Sequence, residues 1–225
     1  MMIKLKDFDA VIFDMDGVLI DSEPLWKIAM EETFRAVGCK LTRKDFQKTV
    51  GLRIDEVIAY WYQEIGWEQA TPREVEEAIV NRMVELIRQN GDPLPGVLET
   101  TDYLIKNNIK VGLATSSYSV LIETVLETLS IRDRFNIVHS AEDEAYGKPH
   151  PAVYITVAER LGVSPNKCLV IEDSLNGIIS GKAAKMNVIC IPEKSHHPEP
   201  KLELADFMFE DMLLFLAAIS NEIEK

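Results

Sequence analysis

Asp14 and Asp16 stand two residues apart where the apolar run Ala10-Val11-Ile12-Phe13 stops and Gly17 follows. Such a run reads as a buried strand, which puts both carboxylates at a strand's carboxyl end, where open α/β sheets bind ligands. Taken alone, the pair reads equally as a helix N-cap and a turn residue. Three more candidate strands also run into polar residues: Thr115-Ser116-Ser117, Lys148 within Gly147-Lys148-Pro149-His150-Pro151, and Glu172-Asp173-Ser174. Each has a local explanation, the hydroxyls and Glu172-Asp173-Ser174 as helix caps and the lysine as part of a proline-rich turn. Chance does not readily bring hydroxyl, ammonium and paired carboxylates to one edge of one sheet. A set of that kind suits polar chemistry on a small substrate, with the ammonium as the local cation an anionic substrate would need.

The elements that must position these residues follow from apolar patterning. Further strands are expected at Val111 to Ala114, Ile137 to Ser140, Cys168 to Ile171 and Val188 to Ile191, with helices at about 97–107, 118–129, 151–161 and 175–185. That alternation predicts an α/β core, a Rossmann-like, doubly wound parallel sheet. The interval from about 22 to 92 breaks the rhythm, with amphipathic helices near 24–37, 43–49, 54–65 and 72–89 and Pro72 suited to a first helical turn. Breakers flank it, Asp21-Ser22-Glu23-Pro24 before and Gly91-Asp92-Pro93-Leu94-Pro95-Gly96 after. The expected organisation is a core of residues 1–21 and 94–225 with a helical cap, 22–93, inserted after the first strand.

Bulk properties bound the reading. At 225 residues and 47% apolar content the chain can bury a full core. No stretch approaches the roughly 18 apolar residues of a membrane span, and Met1 to Asp9 mixes Lys with Asp where a signal peptide would be apolar, so a cytoplasmic address is expected. A formal charge of −13 argues against nucleic-acid or anionic-membrane partners. A small molecule is the expected partner and a monomer the expected state. Cys39, Cys168 and Cys190 lack metal-ligand spacing and read as reduced thiols, and His196 and His197 as part of a surface loop from Pro192 to Pro200.

The order Asp-x-Asp-Gly, Thr/Ser at a strand end, Lys before Pro, then Glu-Asp-Ser resembles the four motifs of the haloacid dehalogenase superfamily. The matching stretches, Asp14-Met15-Asp16-Gly17-Val18-Leu19-Ile20-Asp21-Ser22-Glu23-Pro24-Leu25-Trp26, Gly147-Lys148-Pro149 and Glu172-Asp173-Ser174-Leu175-Asn176-Gly177, look like those of its β-phosphoglucomutase-like and 2-deoxyglucose-6-phosphate phosphatase-like sugar-phosphate phosphatases. The resemblance implies a C1-type cap and a Mg²⁺-dependent phosphatase working through an aspartyl phosphate. Asp14 would be the nucleophile and Asp16 the general acid and base; haloacid dehalogenases proper lack an Asp there. Mg²⁺ would be held by Asp14, the Asp16 carbonyl and Asp173, with Glu172 acting through water. Thr115, the Ser116 N–H and Lys148 would bind the phosphate and Ser117 a distal polar group, with Arg53 presented by the cap. Arg53 reads equally as a solvated arginine at a helix start, and Arg82 is a weaker cap candidate. Asn176 and Gly177 are expected to be structural.

Mutase relatives usually carry His where this chain has Trp26 and Lys where it has Tyr118, and both departures lean towards a phosphatase. The alternatives are a sugar phosphomutase and a receiver-like phosphorylatable binding protein. The insertion and Asp16 count against the second. A phosphonatase would need a cap lysine in a Schiff-base setting, which Lys27, Lys40, Lys44 and Lys48 do not have.

Overall fold

The computed structural model describes residues 3–49, 51–192 and 200–220, so the proposed His196–His197 loop lies outside the described residues. β1 (Ala10–Phe13) is buried at every position and forms the middle of the sheet. Its side chains alternate between two cores, Val11 and Phe13 on one face and Ala10 and Ile12 on the other. That explains its unbroken apolar sequence: a strand covered on both faces has no side to leave polar.

β2 (Lys110–Thr115) and β4 (Cys168–Glu172) pair with β1 on either side, in register Phe13 to Leu113 and Phe13 to Ile171. β3 (Ile137–Ser140), β5 (Asn187–Cys190) and β6 (Phe207–Met208) complete a parallel sheet of order β3-β2-β1-β4-β5-β6. The strand order reverses between β1 and β4, the place where doubly wound sheets open a ligand crevice. On the Val11 face pack α5 (Val97–Lys106), α6 (Ser119–Thr128) and α9 (Met212–Ser220). On the Ile12 face pack α7 (Ala152–Leu161) and α8 (Leu175–Ala183). The sequence reading found neither β6 nor α9.

Between β1 and Pro93 the chain runs through α1 (Glu23–Ala36), α2 (Arg43–Phe46), α3 (Ile54–Glu64) and α4 (Pro72–Asn90). α4 starts on a capping box: the Thr71 hydroxyl accepts the Glu74 N–H at 3.2 Å, and the Glu74 carboxylate accepts the Thr71 N–H at 2.7 Å. The expected single helix at 43–49 is instead α2 followed by a 3₁₀ turn, Gln47–Thr49, where the Thr49 hydroxyl donates to the Phe46 carbonyl at 3.1 Å. Phe34, Phe46, Trp61 and Trp67 stack edge to face or in parallel among these helices, so Trp61 and Trp67 serve packing. α4 packs on α1 and α3 and also touches α6, which joins the inserted helices to the sheet layer.

All three cysteines are free and buried, and burial pushes the Cys168 and Cys190 thiols up to about 12, so neither is a nucleophile at neutral pH. Among the described residues no helix is long and apolar enough to cross a membrane.

Candidate active site

The turn after β1 carries both aspartates. The Asp14 N–H donates to the Ile171 carbonyl of β4 at 3.0 Å, and the Gly17 N–H donates to the Ile20 carbonyl at 2.9 Å, which folds the chain back tightly. Gly17 adopts φ +73°, and a Cβ there would stand 2.2 Å from Asp173 Oδ2. Glycine is therefore required twice at this position, for the left-handed backbone and for the approach of Asp173 to the loop.

Lys148 comes from the loop after β3 and is 3% exposed. Its ammonium donates to Asp14 Oδ1 at 2.8 Å, to Glu172 Oε1 at 2.7 Å and to the Ala114 carbonyl at 3.2 Å. Burial disfavours a charged lysine, but the two carboxylates outweigh it and hold Lys148 above the ordinary lysine value. Burial also pushes the Asp14 carboxyl up to about 7; Lys148 opposes the rise, and Glu172 and Asp16 add to it.

Glu172 is fully buried, and its carboxylate also accepts the Tyr154 hydroxyl at 2.5 Å and the Ser174 hydroxyl at 3.2 Å. A Cβ at Gly177 would fall 1.8 Å from Glu172 Oε1, so the expected structural glycine makes room for this carboxylate. One oxygen each of Asp14, Glu172 and Asp173 lie within 4.8 Å of one another.

Asp16 is held apart from Lys148 by three donors. Its carboxylate accepts the Ser22 hydroxyl at 2.5 Å, the Ser117 hydroxyl at 2.6 Å and the Trp26 indole N–H at 3.0 Å. Thr115 is buried, and its hydroxyl accepts the Ser117 N–H at 3.2 Å. The buried Ser116 hydroxyl has no hydrogen-bond partner among the described residues. Asp14, Asp16, Thr115, Ser116, Ser117, Lys148 and Asp173 line one cavity of about 100 Å³, closed on its other side by side chains of the inserted helices.

Arg53 departs from expectation. Its guanidinium grips Asp55 with two bonds, 2.6 and 2.8 Å, and donates to the carbonyls of Ala141 and Glu144 at 2.9 and 3.0 Å. It does not line the cavity, because a carboxylate two residues on satisfies its planar fork. Together with the Tyr118 hydroxyl, which donates to Glu76 at 2.9 Å, it ties the inserted helices to the sheet layer. Arg82 is engaged by Glu32 and Glu85, away from the cavity. Sequence reasoning missed Ser22 and Tyr154 and used Trp26 to lean from mutase towards phosphatase. Tyr154 sits in an apolar helical stripe with nothing local to show that its hydroxyl reaches Glu172.

These motifs, held at one edge of a parallel sheet, define a class. Residues 11–191 match the family model for haloacid dehalogenase-like hydrolases, and the chain belongs to that family as a phosphoric monoester hydrolase. It is 41% identical over 198 residues to hexitol phosphatase B of Escherichia coli strain K12, covering 88% of this chain and 89% of that one. It is 30% identical over 188 residues to the fructose-1-phosphate phosphatase YqaB of the same organism, covering 81% and 95%. Among solved structures, β-phosphoglucomutase of Clostridium difficile superposes with a TM-score of 0.81 at 25% identity, covering 97% of this chain and 100% of that one.

Proposed function

We propose that this enzyme is a Mg²⁺-dependent phosphatase for small sugar phosphates of the hexose, deoxyhexose or hexitol kind, working through phosphorylated Asp14. One observation carries the reading: Asp14 and Asp16 line the same cavity in different settings, Asp14 bonded to a buried ammonium and Asp16 gripped by three uncharged donors. Two carboxylates in unlike environments suit unlike tasks. The similarity to two bacterial sugar-phosphate phosphatases supports the substrate class.

In this reading Asp14 attacks phosphorus while Lys148 holds its other oxygen and balances charge. Asp16 gives a proton to the departing ester oxygen. Asp16 then takes a proton from the water that attacks the aspartyl phosphate, which releases phosphate and restores Asp14. The Thr115 hydroxyl and the Ser116 N–H would donate to phosphoryl oxygens, a role that the unpartnered Ser116 hydroxyl in the same cavity could share. Three converging carboxylates are a hard oxygen donor set that fits Mg²⁺, and Asp14, Asp173 and the Asp16 carbonyl would hold it with Glu172 further out. When bound, Mg²⁺ would offset repulsion between carboxylates and phosphate and polarise the phosphoryl oxygens. The inserted helices act as a cap that excludes bulk water and macromolecular esters. The net charge of −13 counts against a nucleic-acid or anionic-membrane partner, and the reading takes the enzyme as a cytoplasmic monomer.

The test is phosphate release from a panel of sugar phosphates, with Mg²⁺ and with chelator. Release that needs Mg²⁺ and no bisphosphate activator is expected. Turnover dependent on a bisphosphate, with isomerised product, would select the phosphomutase reading that the β-phosphoglucomutase likeness keeps second.

Two substitutions probe the parts. Gly17→Ala should weaken Mg²⁺ binding by about 10–100-fold, the scale on which displaced supporting groups act, because its Cβ collides with Asp173. Calorimetric metal titration of the variant measures this, and wild-type affinity would remove Asp173 from the metal site. Trp26→Phe keeps an aromatic ring but removes a charge-assisted bond to Asp16, so kcat should fall on the order of tenfold with KM changed less. An unchanged kcat would leave Trp26 a packing residue.

A further inference from the structure

We infer that the cavity selects phosphate esters whose far end is uncharged, and discriminates against substrates carrying a second anion such as a carboxylate or another phosphate. The inference rests on the phosphatase reading and concerns the specificity of that same site.

Among the described residues lining the cavity, Lys148 is the one cation, and its ammonium already lies between Asp14 and Glu172. That end of the cavity is therefore where the reacting phosphate belongs. The wall supplied by the inserted helices is apolar: Trp26, Met30, Phe46, Leu52, Ile54 and Val57. The ionisable residue it contributes is Glu23, a carboxylate paired with Lys27 at 3.0 Å. Arg53, the arginine nearest this wall in sequence, is committed to Asp55 and to the Ala141 and Glu144 carbonyls outside the cavity.

A second anion at the far end would lose its water against hydrocarbon and meet a carboxylate that already engages Lys27, with no further cation among the described lining residues to offset the cost. A hydroxylated, neutral tail meets no such penalty. It can lay its carbon chain on Trp26 and Leu52 and place hydroxyls near Thr49 and Ser117, which also line the cavity.

A matched pair isolates the effect. Sorbitol 6-phosphate and gluconate 6-phosphate share their carbon chain and reacting phosphate, and differ at C1 by a hydroxymethyl group against a carboxylate. Each is measured in the Mg²⁺-loaded enzyme as a substrate and as a competitor of 4-nitrophenyl phosphate hydrolysis. We expect sorbitol 6-phosphate to be favoured by about tenfold or more in kcat/KM, or in inhibition constant if neither is turned over, the scale set by leaving one buried charge unpaired. Leu52→Arg, at a half-buried position on the wall, should narrow that ratio towards unity. Equal use of the two esters, preference for the carboxylate, failure of both to compete, or a ratio that Leu52→Arg leaves unchanged would each overturn the inference. The phosphatase reading stands in all of these as long as 4-nitrophenyl phosphate is hydrolysed. No phosphate release from any of the three esters would overturn that reading first.

Discussion

Asp14→Asn is expected to lose phosphatase activity by at least ~10⁴-fold while the metal-free protein becomes more stable than wild type at pH 8. The activity loss is of the order seen when a covalent nucleophile is removed. The gain in stability follows from burial. Asp14 is 7% exposed, and burial raises its carboxyl from the ordinary 3.8 to about 7, so the fold favours the protonated form. Its stabilising contribution is complete below the unfolded value, and it is lost as pH rises through about 7. Asparagine cannot ionise and escapes that loss. Thermal melts of both proteins in chelator at pH 5 and pH 8 check the sign: the variant's advantage should grow from pH 5 to pH 8 and should be plain at pH 8. A variant that melts lower than wild type at pH 8, or retains wild-type turnover, would contradict the account.

Lys148→Ala should combine the loss of turnover with a destabilisation of about 3–5 kcal/mol at pH 8, the usual range when one partner of a buried ion pair is removed. The ammonium separates two buried carboxylates, at 2.8 Å from Asp14 and 2.7 Å from Glu172, and the Tyr154 ring lies 4.9 Å from its nitrogen. Without it both carboxylates stay buried with no cation. Because Lys148 opposes the rise of the Asp14 carboxyl, its removal pushes that carboxyl further up; protonation then relieves the buried charge, and the destabilisation should shrink towards pH 5. Chemical denaturation of the variant at both pH values measures the effect. A pH-independent loss, or none, would show that Lys148 does not neutralise this cluster.

Much of this was legible in the sequence because the physics is local. β1, covered on both faces, reads as an unbroken apolar run ended by Asp14, and β3 was placed at Ile137–Ser140, as observed. Pro72, suited to a first helical turn, made the start of α4 readable, and in the structure Thr71 caps it. The elements missed lack such signals. β6 spans two residues, and α9 is Met-Leu-Leu-Phe-Leu-Ala-Ala-Ile-Ser, almost wholly apolar, with Leu213 and Leu214 nonetheless exposed, so it shows no amphipathic period.

The same divide runs through the site. Motif residues at strand ends could be located from the chain alone, because a parallel sheet delivers its carboxyl ends to one edge. The partners that tune them could not. Tyr154 reaches Glu172 from 18 residues away, and Ser117 reaches Asp16 across 101. Arg53 shows the same limit: its position suggested the cavity, while in this structure Asp55 and two distant carbonyls hold its guanidinium outside it.

Covalent chemistry at Asp14 is the claim on which the account turns, and a single-turnover reaction tests it most directly. Wild-type enzyme mixed with Mg²⁺ and one equivalent of sorbitol 6-phosphate, quenched in acid within a turnover and mapped by mass spectrometry, should carry one phosphoryl group on the peptide containing Asp14, and Asp14→Asn should carry none. Phosphate released at the wild-type rate with that peptide unmodified throughout, or a phosphoryl group on any other residue, would contradict it.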